Sequence, residues 1–132
     1  MEKTNKTILI AEDDIDFLEQ TKLYLANKGY TVITAKTETD ALDLITNKDF
    51  DLAILDLMMD NQDTGFVLAY KIKKKNPKIP VVIITAVSKE KGYNFSVVNQ
   101  NDKTWIKADV ILHKDIRLEQ LVFEINRLLK LK

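Results

Sequence analysis

Hydrophobic residues along this chain fall into two kinds of segment that alternate. Short continuous runs occur at Ile8-Leu9-Ile10-Ala11, Leu52-Ala53-Ile54-Leu55 and Val81-Val82-Ile83-Ile84. Runs of this length suit parallel strands covered on both faces. The β-branched alternation of residues 30–35 and the brief Val110-Ile111-Leu112 predict two further strands. Between these runs, apolar residues recur at helical spacing. Residues 14–28 place Phe17, Leu18, Thr21 and Leu25 on one face, and Gly29 is a natural stop. Residues 37–47 open on Thr37 and Asp40 as a capping box and direct Ala41, Leu42, Leu44 and Ile45 inward. A helix over residues 64–75 follows, and Pro77 and Pro80 punctuate the approach to the fourth strand. Residues 116–131 predict a final helix with Leu118, Leu121, Val122, Ile125, Leu128 and Leu129 on one stripe. Five strands and up to five helices in alternation predict a doubly wound α/β domain with a parallel sheet and helices on both faces. The exception is residues 88–107, an asparagine-rich stretch of poor helix propensity read as a short or broken helix with a loop.

A length of 132 residues suits one domain spanning 1–132, with its core over about 7–131. Twenty basic and twenty acidic side chains cancel, so there is no overall attraction to nucleic acid or to an acidic membrane. Cysteine is absent, which excludes disulfides, thiolate catalysis and cysteine-based zinc sites. No apolar stretch is long enough to span a bilayer, and residues 1–6 lack the hydrophobic core of a signal peptide. A cytoplasmic protein is expected.

The candidate chemistry lies where apolar runs stop. The first run ends at Glu12-Asp13-Asp14, the third strand at Asp56, the fourth at Thr85, and Lys114 closely follows the last. Right-handed crossovers bring all of these to one edge of the sheet, the edge where ligands bind in open α/β sheets. Carboxylates gathered there repel one another unless a proton or cation intervenes. Mg2+ takes oxygen ligands and keeps waters and phosphate in its shell. Asp13 and Asp56 could hold it directly, with Glu12 on a coordinated water. A carboxylate can also attack phosphorus to form an aspartyl phosphate. Lys114 would then neutralise phosphoryl oxygens, and the Thr85 hydroxyl would donate to them. Taken singly these residues have plainer readings: Asp13 or Asp14 as a helix cap, Lys114 as a solvated lysine. Their order on alternating elements favours the functional reading.

At Ile8-Leu9-Ile10-Ala11-Glu12-Asp13-Asp14, Asp51-Leu52-Ala53-Ile54-Leu55-Asp56-Leu57-Met58-Met59, Ile83-Ile84-Thr85-Ala86 and Lys114, the chain resembles the receiver domains of two-component response regulators. The resemblance implies a flavodoxin-like fold with strand order 2-1-3-4-5. It also implies that Asp56 accepts phosphate from a phosphohistidine on a sensor histidine kinase or a histidine phosphotransfer protein. Glu12 and Asp13 become the acidic pair for Mg2+, with Asp56 and the Met58 backbone carbonyl as further ligands. Thr85 and Lys114 become the phosphate-sensing pair, and the small Ala86 leaves the phosphoryl group access.

The chain also departs from the family pattern. Asp115 stands where a proline in cis linkage usually follows the lysine. A non-proline cis bond costs about 2.5–4 kcal/mol, so a trans bond is expected, or else a strained cis one. Ile111 replaces the aromatic switch residue, so the usual ring swing cannot occur there. Asp60 stands at a common proline position, and Gly65 falls one residue late, so the loop before the third helix is enlarged and gains Asp60 and Asp63. Lys114 lies 29 residues after Thr85, several more than is usual. The additional chain carries Tyr93, Phe95 and Trp105, read as padding of an irregular loop, with a partner-binding surface as the alternative. Met58 and Val87, two positions after Asp56 and Thr85, are apolar and cannot position an attacking water, which predicts a long-lived aspartyl phosphate. Met58 and Met59 are expected to pack and line the mouth of the site. His113 reads as an exposed or capping histidine, and Lys71, Lys73, Lys74 and Lys75 as a solvated helix face.

These readings converge on a stand-alone receiver, not an enzyme in its own right. It would act through protein contacts or by phosphorelay, without direct nucleic-acid or membrane binding, and could form a homodimer through the last strand and its flanking helices. Two rivals remain. One is a phosphorylation-independent receiver-like interaction module. The other is a phosphatase of the haloacid dehalogenase type, whose second aspartate is replaced here by Met58.

Overall fold

The structure, a computed structural model, describes residues 5–86 and 107–130. Its elements are β1 (Thr7–Ala11), α1 (Ile15–Asn27), β2 (Thr31–Ala35), α2 (Glu38–Asn47), β3 (Leu52–Asp56), α3 (Thr64–Lys75), β4 (Val81–Thr85), β5 (Val110–His113) and α4 (Leu118–Leu128). All five strands are parallel, in the order β2-β1-β3-β4-β5. The expected architecture is therefore present, with four helices among the described residues. The expected helix within residues 88–107, together with Val87, Tyr93, Phe95 and Trp105, lies outside them.

Both faces of the sheet are covered, and β1, β3 and β4 carry apolar side chains on both faces up to their polar ends. Leu9, Ala11, Ala53, Leu55, Val81 and Ile83 join Ala41, Ile45, Phe66, Leu68 and Ile72 of α2 and α3 in one cluster. Ile8, Ile10, Leu52, Ile54, Val82 and Ile84 join Leu18, Leu25, Leu121 and Ile125 of α1 and α4 in the other. The period-two alternation of a strand divides its residues between these faces. Asp14 caps α1, its side chain accepting from the Phe17 N–H, and Thr37 caps α2 by accepting from the Asp40 N–H. Gly29, at φ 98°, makes the left-handed turn after α1 that a side chain would oppose. The last helix begins at Leu118, two residues later than its periodicity predicts.

The basic run of α3 is not simply solvated. Lys73 Nζ donates to the carbonyls of Pro77 (3.3 Å) and Ile79 (2.7 Å) and to Asp109 Oδ2 (2.8 Å). The same Asp109 oxygen accepts from the Val81 N–H at 2.7 Å. Lys75 Nζ donates to the Ile45 and Lys48 carbonyls at 2.6 and 2.7 Å, satisfying the C-terminal end of α2. Sequence alone shows four similar lysines; tertiary placement makes two of them fasteners of the β4 and α2 ends. Lys73→Met is expected to lower stability by about 1–3 kcal/mol, because it leaves Asp109 and two carbonyls short of a charged donor. Urea denaturation at neutral pH checks this, with Lys74→Met as the exposed control.

Candidate functional site

Ladder hydrogen bonds carry on past the strand ends and hold the backbone of the site. The Glu12 N–H donates to Ala35 O, the Leu57 N–H to Ile84 O and the Lys114 N–H to Thr85 O, each at 2.9 Å. Glu12 continues the side of the sheet taken by Ile8 and Ile10, and Asp56 the side taken by Leu52 and Ile54. Both therefore fall toward the α1/α4 face. Glu12 and Asp56 are buried, with 1% and 5% of their surface exposed, while Asp13 is exposed. One carboxylate oxygen from each of the three lies within 4.8 Å of the others. Lys114 Nζ reaches Glu12 Oε2 at 3.1 Å and Asp56 Oδ2 at 3.7 Å. Among the described residues no peptide bond is cis, so Lys114 attains this position on a trans bond to Asp115.

The electrostatics follow from burial. Desolvation pushes the Asp56 carboxyl up, and a hydrogen bond and like charge from Glu12 push it further; Lys114 pulls it back only in part. Its pKa settles at about 8. For Lys114, burial favours the neutral form, but its hydrogen bond and attraction to Glu12, then Asp56 and Asp14, outweigh this and raise its pKa. One ammonium cannot balance three acidic side chains once Asp56 ionises. A divalent cation fits the cluster, since the ligand atoms are close together and are all hard oxygens.

The remaining candidates are distributed around this centre. Thr85, 96% buried, ends β4 opposite His113 of β5. The Met58 N–H lies 3.4 Å from Asp56 Oδ1. Its side chain is exposed, so only Met59 packs against the core, contrary to the expectation for the pair. His113 is exposed and paired with Asp115. Asp60 and Asp63 do not join the acidic cluster: Asp60 accepts from the Glu38 N–H at 3.4 Å, and Asp63 precedes α3.

Two features escape a reading of the sequence. Gly65 lies so close to the end of β3 that a Cβ there would sit 2.7 Å from Leu57 Cα. The enlarged loop is also strapped to α2. Thr64 Oγ1, fully buried, donates to Glu38 Oε1 at 2.9 Å and accepts from the Asn61 N–H at 3.0 Å. Thr64→Val keeps the shape and removes both bonds. It is expected to cost about 1–3 kcal/mol and to weaken Mg2+ binding severalfold by loosening the loop that carries Met58. Thermal unfolding and Mg2+ titration of the same variant test the two effects.

Residues 8–126 match the response regulator receiver domain family, and the chain belongs to it. It is a receiver domain of the two-component response-regulator class, with the CheY-like flavodoxin fold. It is 38% identical over 79 residues to the transcriptional regulatory protein GlrR of Escherichia coli K12, covering 60% of this chain and 18% of that protein. A CheY-like receiver domain protein from Methanospirillum hungatei aligns over 95% of this chain and 94% of its own, at a TM-score of 0.78 and 26% identity. The response regulator TrrA of Thermotoga maritima, solved with Mg2+ and BeF, aligns over 93% and 98% of the two chains at a TM-score of 0.75 and 25% identity. The chain spans less than a fifth of the length of GlrR. Among the described residues, no helix is long and apolar enough to cross a membrane.

Proposed function

We propose that this receiver is phosphorylated on Asp56 by a phosphohistidine of a sensor histidine kinase or histidine phosphotransfer protein. A buried carboxylate beside an ammonium, within a cluster of three acids, is the observation that carries this reading. Glu12, Asp13, Asp56 and the Met58 carbonyl would hold Mg2+, which when bound neutralises charge on the phosphoryl oxygens. An Asp56 oxygen attacks phosphorus and the P–N bond breaks. Its electron pair stays on the departing imidazole nitrogen. Lys114 offers its ammonium to a phosphoryl oxygen, and Thr85 its hydroxyl to another. Lys114 must then exchange its contact with Glu12 for one with phosphate. That exchange biases the β5 edge and α4 between two arrangements. Output runs through protein contacts made in the cytoplasm, by phosphorelay or through a homodimer built on β5 and its flanking helices.

Incubation with acetyl phosphate and Mg2+ is expected to add one phosphoryl mass to the intact protein, and Asp56→Asn to abolish it. The adduct should persist for minutes or longer after donor removal, because the apolar, exposed Met58 side chain orders no attacking water. Loss within seconds would contradict that lifetime. No adduct at any Mg2+ concentration would favour a phosphorylation-independent interaction module.

A further inference from the structure

We infer that Phe17 is a positioning residue for Lys114, its ring holding the ammonium against Glu12 and Asp56. This rests on Lys114 acting in phosphoryl transfer as proposed above. Lys114 Nζ stands over the Phe17 ring, 5.3 Å from its centroid. That is within the range at which an ammonium is drawn to an aromatic face, and the attraction grows as water is excluded. The Lys114 side chain is only 20% exposed. Its head therefore meets the ring on one side and Glu12 and Asp56 on others.

The ring is itself anchored to the site. Glu12 Oε2 accepts from the Asp14 N–H at 3.1 Å, and Asp14 Oδ1 accepts from the Phe17 N–H at 3.2 Å. A closed circuit results: Glu12 holds Asp14, Asp14 holds the backbone of Phe17, and the Phe17 ring faces the lysine that pairs with Glu12. Lysine has a long flexible stem, and Asp115 contributes no ring constraint beside it. A cation-attracting face costs the side chain no hydrogen bond, so Nζ remains free to turn toward a phosphoryl oxygen. A packing role alone, against the α1/α4 cluster on which Phe17 also packs, needs an apolar side chain but no aromatic face, and leucine supplies that with some loss of volume.

Phe17→Leu, Phe17→Trp and Lys114→Met, with the Phe17→Leu/Lys114→Met double variant, separate the two roles. In the wild type the Lys114 side-chain NMR signals should be shifted upfield by the ring. Phe17→Leu should abolish that shift and slow phosphorylation by acetyl phosphate about threefold to tenfold, with Mg2+ affinity unchanged. Phe17→Trp should retain both. In the Lys114→Met background, Phe17→Leu should have no further effect on rate. A folded Phe17→Leu protein with wild-type Lys114 shifts and wild-type rate would overturn the inference. Should the wild type take no phosphate, the Lys114 shifts still decide whether Phe17 positions the lysine, while the transfer reading fails separately.

Discussion

Mg2+ binding is expected to tighten about tenfold for each unit that pH rises toward about 8, and to level off above it. The cause is the protonation state of Asp56. Its pKa of about 8 means that the metal-free carboxyl holds a proton at neutral pH, and a cation must displace that proton to gain the oxygen. Burial is the largest cause of the rise and Glu12 adds to it, while Lys114 alone is too little positive charge to reverse it. Calorimetric titration in buffers of different ionisation enthalpy should show about one proton released per ion near neutral pH. The same shift has a stability consequence of definite sign. Between the ordinary aspartate value of 3.8 and about 8, the folded protein binds a proton that the unfolded chain has lost. Metal-free stability should therefore fall as pH rises through that window. Asp56→Asn should remove the slope and stabilise the metal-free protein at pH 8 by roughly 2 kcal/mol or more. Metal affinity and stability that ignore pH over this range would mean that Asp56 is ionised throughout.

Gly65→Ala is expected to damage stability and phosphorylation together. The added Cβ would stand 2.7 Å from Leu57 Cα and 2.9 Å from the Asp56 carbonyl oxygen. Both are backbone atoms, so no side chain can turn aside to make room. The Gly65 N–H also donates to the Leu57 carbonyl at 2.8 Å, clamping the start of α3 against the end of β3. Either α3 retreats and that bond breaks, or Asp56, the proposed phosphoacceptor, moves. Overpacking of this kind costs about 1–3 kcal/mol. A displacement of about 1 Å at a reacting group costs on the order of a hundredfold in rate. Denaturation curves and acetyl phosphate kinetics measure the two. Gly29→Ala is the control: it too should lose stability, through its left-handed φ, yet leave the rate of phosphorylation intact.

Much of this molecule is legible in one dimension. Continuous apolar runs mark buried parallel strands because each strand must satisfy two covered faces, and burial of every residue along β3 and β4 is the result. The gathering of Glu12, Asp13, Asp56 and Lys114 follows from the same pattern, since each stands at the C-terminal end of a parallel strand. Caps at Asp14 and Thr37 are equally local, needing only a side-chain oxygen three residues before an N–H. Gly65 is visible as a glycine, but the backbone it must admit is eight residues away, and nothing local marks the approach.

The sequence by itself determined element order, face assignment and the three strand ends that bear charge, because these depend on periodicity and on the handedness of crossovers. Tertiary structure alone decided how those ends are held and how they titrate. It placed Lys114 on a trans bond between Glu12, Asp56 and the Phe17 ring. It strapped the enlarged loop to α2 through Thr64 and Glu38, and made Lys73 and Lys75 fasteners where the sequence shows only a basic run. The physical reason is common to all of these. A side chain's hydrogen-bond partner, its desolvation and the resulting pKa depend on atoms brought near from distant parts of the chain, and those distances exist only in the folded protein.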